Sequence, residues 1–213
     1  MAPKLFLFMY TLLLSFHGIS SSDSIKYKVI NGVPKTPGGI KFTEEIGISY
    51  TQELLPKITN FIWSIIFQQN NLSDRKPLDA IEVFISDQMK VGGSLGIPWG
   101  NNKININSKY IQEFKGDDLK WHFTGAMYHE VTHLLQWNKD ILPGSLKQGI
   151  AEYTELKANY VVPNYTKPGE GNSWDQGSSI NCRFLEYCDG VVPGFVAKLN
   201  KKIRTKYDVS FFK

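Results

Sequence analysis

Cysteine is scarce in this 213-residue chain: there are two, Cys182 and Cys188, too few for a disulfide framework. If both lie on one helix, their separation rotates them about 240° apart and places them roughly 9 Å apart along the axis. That is beyond disulfide reach, so two free, buried thiols are expected. Histidine is also rare, with four in all. Charge is nearly balanced at +4, and no dense Lys/Arg stripe exists, which excludes a nucleic-acid partner. Lys198, Lys201, Lys202, Arg204 and Lys206 gather near the C-terminus and read as a solvated helix face. Past the first twenty residues no apolar run is long enough to span a bilayer; Thr59 to Phe67 is apolar but short. Internal repeats and low-complexity tracts are missing too, so the length points to one ordinary globular domain.

The N-terminus differs from the rest. Lys4 supplies a positive charge, Leu5 to Phe16 is almost wholly apolar, and Gly18 and Ser20 are small residues at the expected cleavage positions. This predicts a secretory signal peptide over residues 1–20 and a mature N-terminus near Ser21. The apolar stretch falls short of the roughly 20 residues a membrane span needs. The mature chain is therefore expected to be extracellular, free of the membrane and monomeric. It would carry one positive charge fewer, which suits solubility and weak attraction to anionic surfaces. Secretion also gives meaning to two sequons, Asn71-Leu72-Ser73 and Asn164-Tyr165-Thr166, as possible glycan acceptors.

Strands are expected at Ile25 to Asn31, at Ala80 to Ser86 as a buried strand, and at Lys103 to Asn107 as an edge strand. Pro34 to Gly39 reads as a turn-rich break, and Gly92, Gly93 and Gly96 as a loose turn region. Thr43 to Gln69 reads as mostly helical, with Pro56 interrupting it. Further helices are expected from Ser108 to Phe114, from about Asp118 to Trp137, from Ser145 to about Tyr160, from Trp174 to Tyr187 and from Pro193 to Arg204. The Asp118 helix is apolar over most of its surface and should be buried. A strand-containing N-terminal half followed by a helical C-terminal half indicates an α+β fold, with residues 21–213 forming one domain.

The buried helix carries His129-Glu130-Val131-Thr132-His133. Two histidines four residues apart stack on one helix face about 6 Å apart, close enough to grip one metal ion. Glu130 lies about 100° further round, where it can take a proton from water without binding the metal itself. Histidines left unpartnered in such an apolar helix would pay a desolvation penalty, which favours a Zn2+ site over structural histidines. His122 is about 10 Å up the same helix, too far to share the ion. The position six residues past His133 is Lys139, so the third donor should be an oxygen from the next helix. That helix offers Gln148, Glu152 and Glu155 at i, i+4 and i+7 on one face. Gln148 also has a plainer reading, because Ser145-x-x-Gln148 fits a capping box. Asp140 reads as a simple turn residue. Trp174-Asp175-Gln176-Gly177 is either a cleft wall or a helix start with a packed Trp, and Tyr153 and Tyr187 are either oxyanion donors or core residues.

The run Tyr128 to Trp137, then Pro143-Gly144, Gly149-Ile150-Ala151-Glu152-Tyr153, Leu156-Lys157-Ala158, Lys167-Pro168-Gly169, Trp174-Asp175-Gln176-Gly177 and Arg183-Phe184-Leu185 resembles the plant basic secretory protein family. Phe61-Ile62-Trp63 and Ile111-Gln112 fit as well. The resemblance covers nearly the whole mature chain. It implies a secreted, zincin-like zinc metallopeptidase of the apoplast or cell wall, linked to plant defence, acting on polypeptide substrates. It also implies Zn2+ at His129 and His133 with Glu130 as general base. Three departures stand out. The family has glutamate, its third zinc ligand by resemblance, where this chain has Gln148, a weaker donor. Relatives tend to have aspartate where this chain has Glu152, which is expected either to replace the missing ligand or to bond a zinc-bound histidine. Relatives also continue past the phrase resembling Tyr207 to Phe212, while this chain stops at Lys213. Two functions are therefore carried forward: a zinc peptidase, and a catalytically impaired secreted binding or defence protein that keeps the fold. Expression through a eukaryotic secretory pathway should release protein that begins near Ser21; N-terminal mass spectrometry checks this, and a product retaining Met1 would contradict it.

Overall fold

The computed structural model describes residues 25–87, 96–114 and 118–212. The expected signal segment, Gly92 and Gly93 lie outside the described residues. Strand β1 (Lys26–Asn31) leads to a short helix α1 (Pro37–Lys41), a π-helical turn, and α2 (Ile48–Phe61), which ends in a second π-helical turn. Strands β2 (Ala80–Ser86), β3 (Gly96–Trp99) and β4 (Lys103–Asn107) follow. The rest is helical: α3 (Ser108–Glu113), α4 (Leu119–Leu135), α5 (Gly144–Lys157), α6 (Ser178–Val191) and α7 (Phe195–Ile203). The architecture is α+β.

The sheet runs in the order β1-β2-β4-β3, with β1, β2 and β4 parallel and β3 antiparallel to β4. Its register pairs Val29 with Val83 and Val83 with Ile104. Alternation in β2 turns Ile81, Val83 and Ile85 inward, fully buried. Strand β4 corrects an expectation: it is internal, not an edge. Its alternating asparagines look solvent-facing in sequence, but Asn105 and Asn107 are buried because they are hydrogen-bonded. Asn105 Oδ1 accepts from the Ser86 hydroxyl at 2.8 Å, and Asn107 Oδ1 accepts from Lys109 N at 3.0 Å to cap α3. The edge beside β4 is β3, which contains Pro98 and begins at Gly96, a residue expected from sequence in a loose turn region. Proline is tolerated there because an edge strand need not donate on both sides.

Two helical expectations also change. The expected break at Pro34 to Gly39 contains α1, which starts at Pro37 with Thr36 as its cap: the Thr36 hydroxyl accepts from Gly39 N at 3.2 Å. Pro56 sits inside α2 rather than dividing it. The sequence's two cysteines both fall on α6 as free thiols; Cys182 is buried and Cys188 half-buried.

One hydrophobic core runs through the molecule. Phe42, Leu55 and Ile58 belong to it from the first helices, Ile81, Ile104 and Ile106 from the sheet, and Phe123, Met127 and Val131 from α4. Leu146, Ile150, Cys182 and Leu185 continue it across α5 and α6. Helix α4 is thus held between the sheet and α5. The chain leaving it is tied down as well. Lys76 Nζ donates to the carbonyls of Leu134 at 3.0 Å and Gln136 at 3.4 Å, an ammonium on the negative end of the helix. Trp137 N donates to Asn200 Oδ1 at 3.1 Å, and Asn138 Nδ2 to Ile203 O at 2.8 Å.

Helix α5 lies very close to α6 at Gly149. A Cβ there would fall 2.2 Å from Asn181 Oδ1 and 2.8 Å from its Cβ, and Asn181 is fully buried. Gly149→Ala should therefore lower stability by about 1–3 kcal/mol, an overpacking penalty. Urea denaturation reads it, and an unchanged midpoint would argue against this helix contact.

Candidate active site

Helix α4 presents His129 and His133 one turn apart, with ring centroids 4.8 Å apart and ring planes at 81°. Their Nε2 atoms converge on one point of α5. The side-chain oxygen of Gln148 lies 2.8 Å from His129 Nε2 and 3.1 Å from His133 Nε2. The capping box expected of Gln148 does not form. Pro143 occupies the N-cap position without any side-chain cap bond, so Ser145 is already inside the helix and the box is out of register.

The other nitrogen of His129 is occupied too. His129 Nδ1 lies 2.5 Å from Glu155 Oε1, with both side chains about four-fifths buried. A carboxylate at Nδ1 holds the proton there and leaves Nε2 directed at Gln148. Burial by itself pushes the His129 pKa down, but the hydrogen bond and charge of Glu155 outweigh it and raise the value to about 9. Burial drives His133 the other way, to about 3, assisted by the neighbouring His129 charge. His133 Nδ1 faces Gln136 Oε1 at 3.5 Å.

Glu130 is 4% exposed, and its Oε2 has no hydrogen-bond partner. Burial raises its pKa to about 7. The β3 backbone approaches it closely: a Cβ built on Gly96 would lie 3.1 Å from Glu130 Cγ. His129, Glu130 and Glu155 line one cleft of about 180 Å3.

Glu152 goes elsewhere. Its Oε2 accepts from the Tyr165 hydroxyl at 2.5 Å, so this carboxylate serves the α5–α6 side while Glu155, one turn on, meets His129. The sequence spacing put all three α5 side chains on one face but could not say which of the two carboxylates bonds the histidine. Asp140 stays in the turn after α4. Tyr153 is a core residue at 2% exposure, whereas Tyr187 is exposed on α6. Trp174 precedes α6 and sits against Phe212 and Phe184, with centroids 4.9 and 5.7 Å away. It borders a separate cavity of about 540 Å3 between residues 168–174 and α6.

Among the described residues, no group of three or more His, Cys, Asp or Glu side chains is gathered to hold a metal. The convergent donors are instead two imidazoles and one amide oxygen. This set fits a zinc ion in donor type, since imidazole nitrogen suits zinc and a side-chain oxygen completes three protein ligands. It lacks the carboxylate charge that would strengthen the hold. The unpartnered, buried Glu130 oxygen beside it is consistent with a polar guest in the cleft.

A family model described as BSP, peptidase of plants and bacteria, matches residues 22–213. No curated protein matches the chain, and no solved structure does.

The His129–Glu155 pair sets a pH dependence for the metal-free protein. The folded value of about 9 lies above the ordinary 6.5, so this contribution to stability is full below about pH 6.5 and lost as pH rises through 9. Glu130 acts in the same sense between its ordinary 4.5 and about 7, and His133 in the opposite sense between about 3 and 6.5. From pH 7 to 9.5, then, His129 dominates, and stability should fall by about 2–3 kcal/mol. Glu155→Gln should flatten that slope; denaturation midpoints across the range test it.

Proposed function

The chain belongs to the BSP family, the peptidases of plants and bacteria, and from that membership we propose that it is a secreted zinc metallopeptidase that hydrolyses peptide bonds in polypeptides. The observation that carries this reading is the convergence of both histidine Nε2 atoms on Gln148, with the buried, unpartnered Glu130 beside them. A zincin-like reading of the fold goes with it: the helix bearing His-Glu-x-x-His lies beneath a sheet whose edge strand runs antiparallel. The extracellular setting and a defence role rest on the signal-like N-terminus and the basic secretory protein resemblance.

His129, His133 and Gln148 would hold the zinc. When bound, zinc supplies Lewis acidity that makes water acidic and polarises a peptide carbonyl. Glu130 takes the proton from the attacking water and passes it to the departing amine nitrogen. In the metal-free protein burial raises its pKa to about 7, so this carboxyl can hold a proton near neutral pH. Glu155 keeps the His129 ring oriented through Nδ1. Burial of His133 keeps its imidazole neutral, the form that binds metal.

Gln148 favours one rival reading, a secreted binding protein that retains the fold without catalysis, because a neutral amide is a weaker zinc ligand than a carboxylate. Zinc analysis and casein cleavage by the purified mature protein separate the two. The peptidase should hold stoichiometric zinc and cleave. Glu130→Gln should keep the zinc and lower kcat by about 10^2–10^4-fold, the range for loss of a general acid–base group. Gln148→Glu should bind zinc at least about tenfold more tightly, as second-sphere and ligand changes do. Absence of both zinc and cleavage selects the binding protein, and unchanged zinc affinity in Gln148→Glu removes that residue from the ligand set.

A further inference from the structure

The cleft at His129 and Glu130 continues along α4 toward its N-terminus, past residues that the proposed chemistry does not use. Its volume of about 180 Å3 suits one side chain rather than a larger ligand. His122, Ala126, His129 and Glu130 all border it, at helical spacings of four, three and one residues, so they form one stripe of α4. The floor at the middle of that stripe is only a methyl group, Ala126.

The walls are rings already fixed by other rings. Tyr160, which follows α5, stacks on Tyr128 at 5.3 Å and packs against Trp121 at 5.6 Å. It lies close to α4 because residue 125 is glycine: a Cβ there would be 3.1 Å from Tyr160 Cβ and 3.3 Å from its carbonyl oxygen. Tyr110 of α3 also lines the cleft. At the far end, His122 is held by Phe114 at 4.7 Å and Trp121 at 4.8 Å. Val162 forms an exposed rim.

We propose that this cleft is the subsite for an aromatic side chain adjoining the bond to be cleaved, and that Ala126 sets its depth. The inference rests on the peptidase reading for its position next to the chemistry. Its selectivity comes from the walls. Preset aromatic faces and edges favour an aromatic guest in tilted or offset contact, with little ordering needed on binding. Charge narrows the choice further. Glu130 and Glu155 line the cleft, no Lys or Arg does among the described residues, and the His129 ring is already bonded to Glu155, so an acidic side chain would meet carboxylates with no unengaged basic side chain beside them.

The zinc-loaded protein should be given matched peptides carrying Phe, Leu, Lys or Asp at each position flanking the cleaved bond, with products read by mass spectrometry. On one side of the bond, Phe should be preferred at least tenfold over Asp and should also exceed Lys and Leu. Ala126→Phe should lower kcat/KM for the Phe peptide at least tenfold, mainly through KM, with zinc content unchanged. Val162→Asp, at the exposed rim where folding is not at risk, should lower it in the same direction. Equal cleavage of all four peptides, a preference for Lys, or an Ala126→Phe variant that cleaves the Phe peptide as well as the parent would overturn the subsite. If the parent cleaves nothing, the peptidase reading fails, and the cleft is judged separately. Saturation-transfer NMR of metal-free protein with N-acetyl-phenylalaninamide should then show contact that Ala126→Phe abolishes; no contact in the parent would sink the subsite as well.

Discussion

Two imidazoles and one amide oxygen meet at a single point, and much of the molecule is arranged around that meeting. Helix α4 fixes the histidines one turn apart, and α5 crosses it with Gln148 aimed between them. With the His129 Nε2 proton displaced, all three atoms would be neutral donors, so an ion placed there would keep its full positive charge at the immediate contacts. Compensation comes from one layer out. Glu155 carries a carboxylate bonded to the back of His129, and Glu130 carries another beside the cleft. The negative charge a glutamate would have brought at residue 148 is thus supplied at a distance, through a ring and across a gap. Coulomb attraction falls with separation, so this arrangement would hold a cation less firmly than direct carboxylate contact.

The same burial that positions these groups also sets their protonation. Glu130 lies under β3, removed from water and with its Oε2 lacking a hydrogen-bond partner, and its affinity for a proton rises into the neutral range. His129 and His133 belong to one helix face yet are driven in opposite directions, because only one of them has a carboxylate at its back. A pair of chemically identical side chains is made unequal by the single contact with Glu155.

The local pattern of the chain predicts much of this. Strand β2 and the extent of β4 follow from alternation, and the long buried helix follows from apolar residues on nearly all of its faces. The spacing of His129 and His133 follows from helical geometry. Other features depend on partners that local pattern does not name. The asparagines of β4 look exposed until Ser86 and the α3 N-terminus claim them. Strand β3 is short and punctuated by Gly96 and Pro98, so only its pairing with β4 reveals it. Glu152 and Glu155 share a helix face, and only the placement of Tyr165 and His129 decides which carboxylate goes where. Ser145 and Gln148 have capping-box spacing, but α5 begins two residues too early to use it.

The turn after α4 is closed by partners far away along the chain in both directions. Lys76 reaches Leu134 O from 58 residues upstream, while Asn200 and the carbonyl of Ile203 bind Trp137 and Asn138 from 63 and 65 residues downstream. During synthesis, the histidine-bearing helix can form early, but its trailing end acquires its last anchors only after residues 200–203 have emerged. Contacts of such long sequence separation carry a loop-closure entropy that delays them. Assembly of the two-histidine cleft is therefore tied to formation of α7, which emerges well after the helix it anchors.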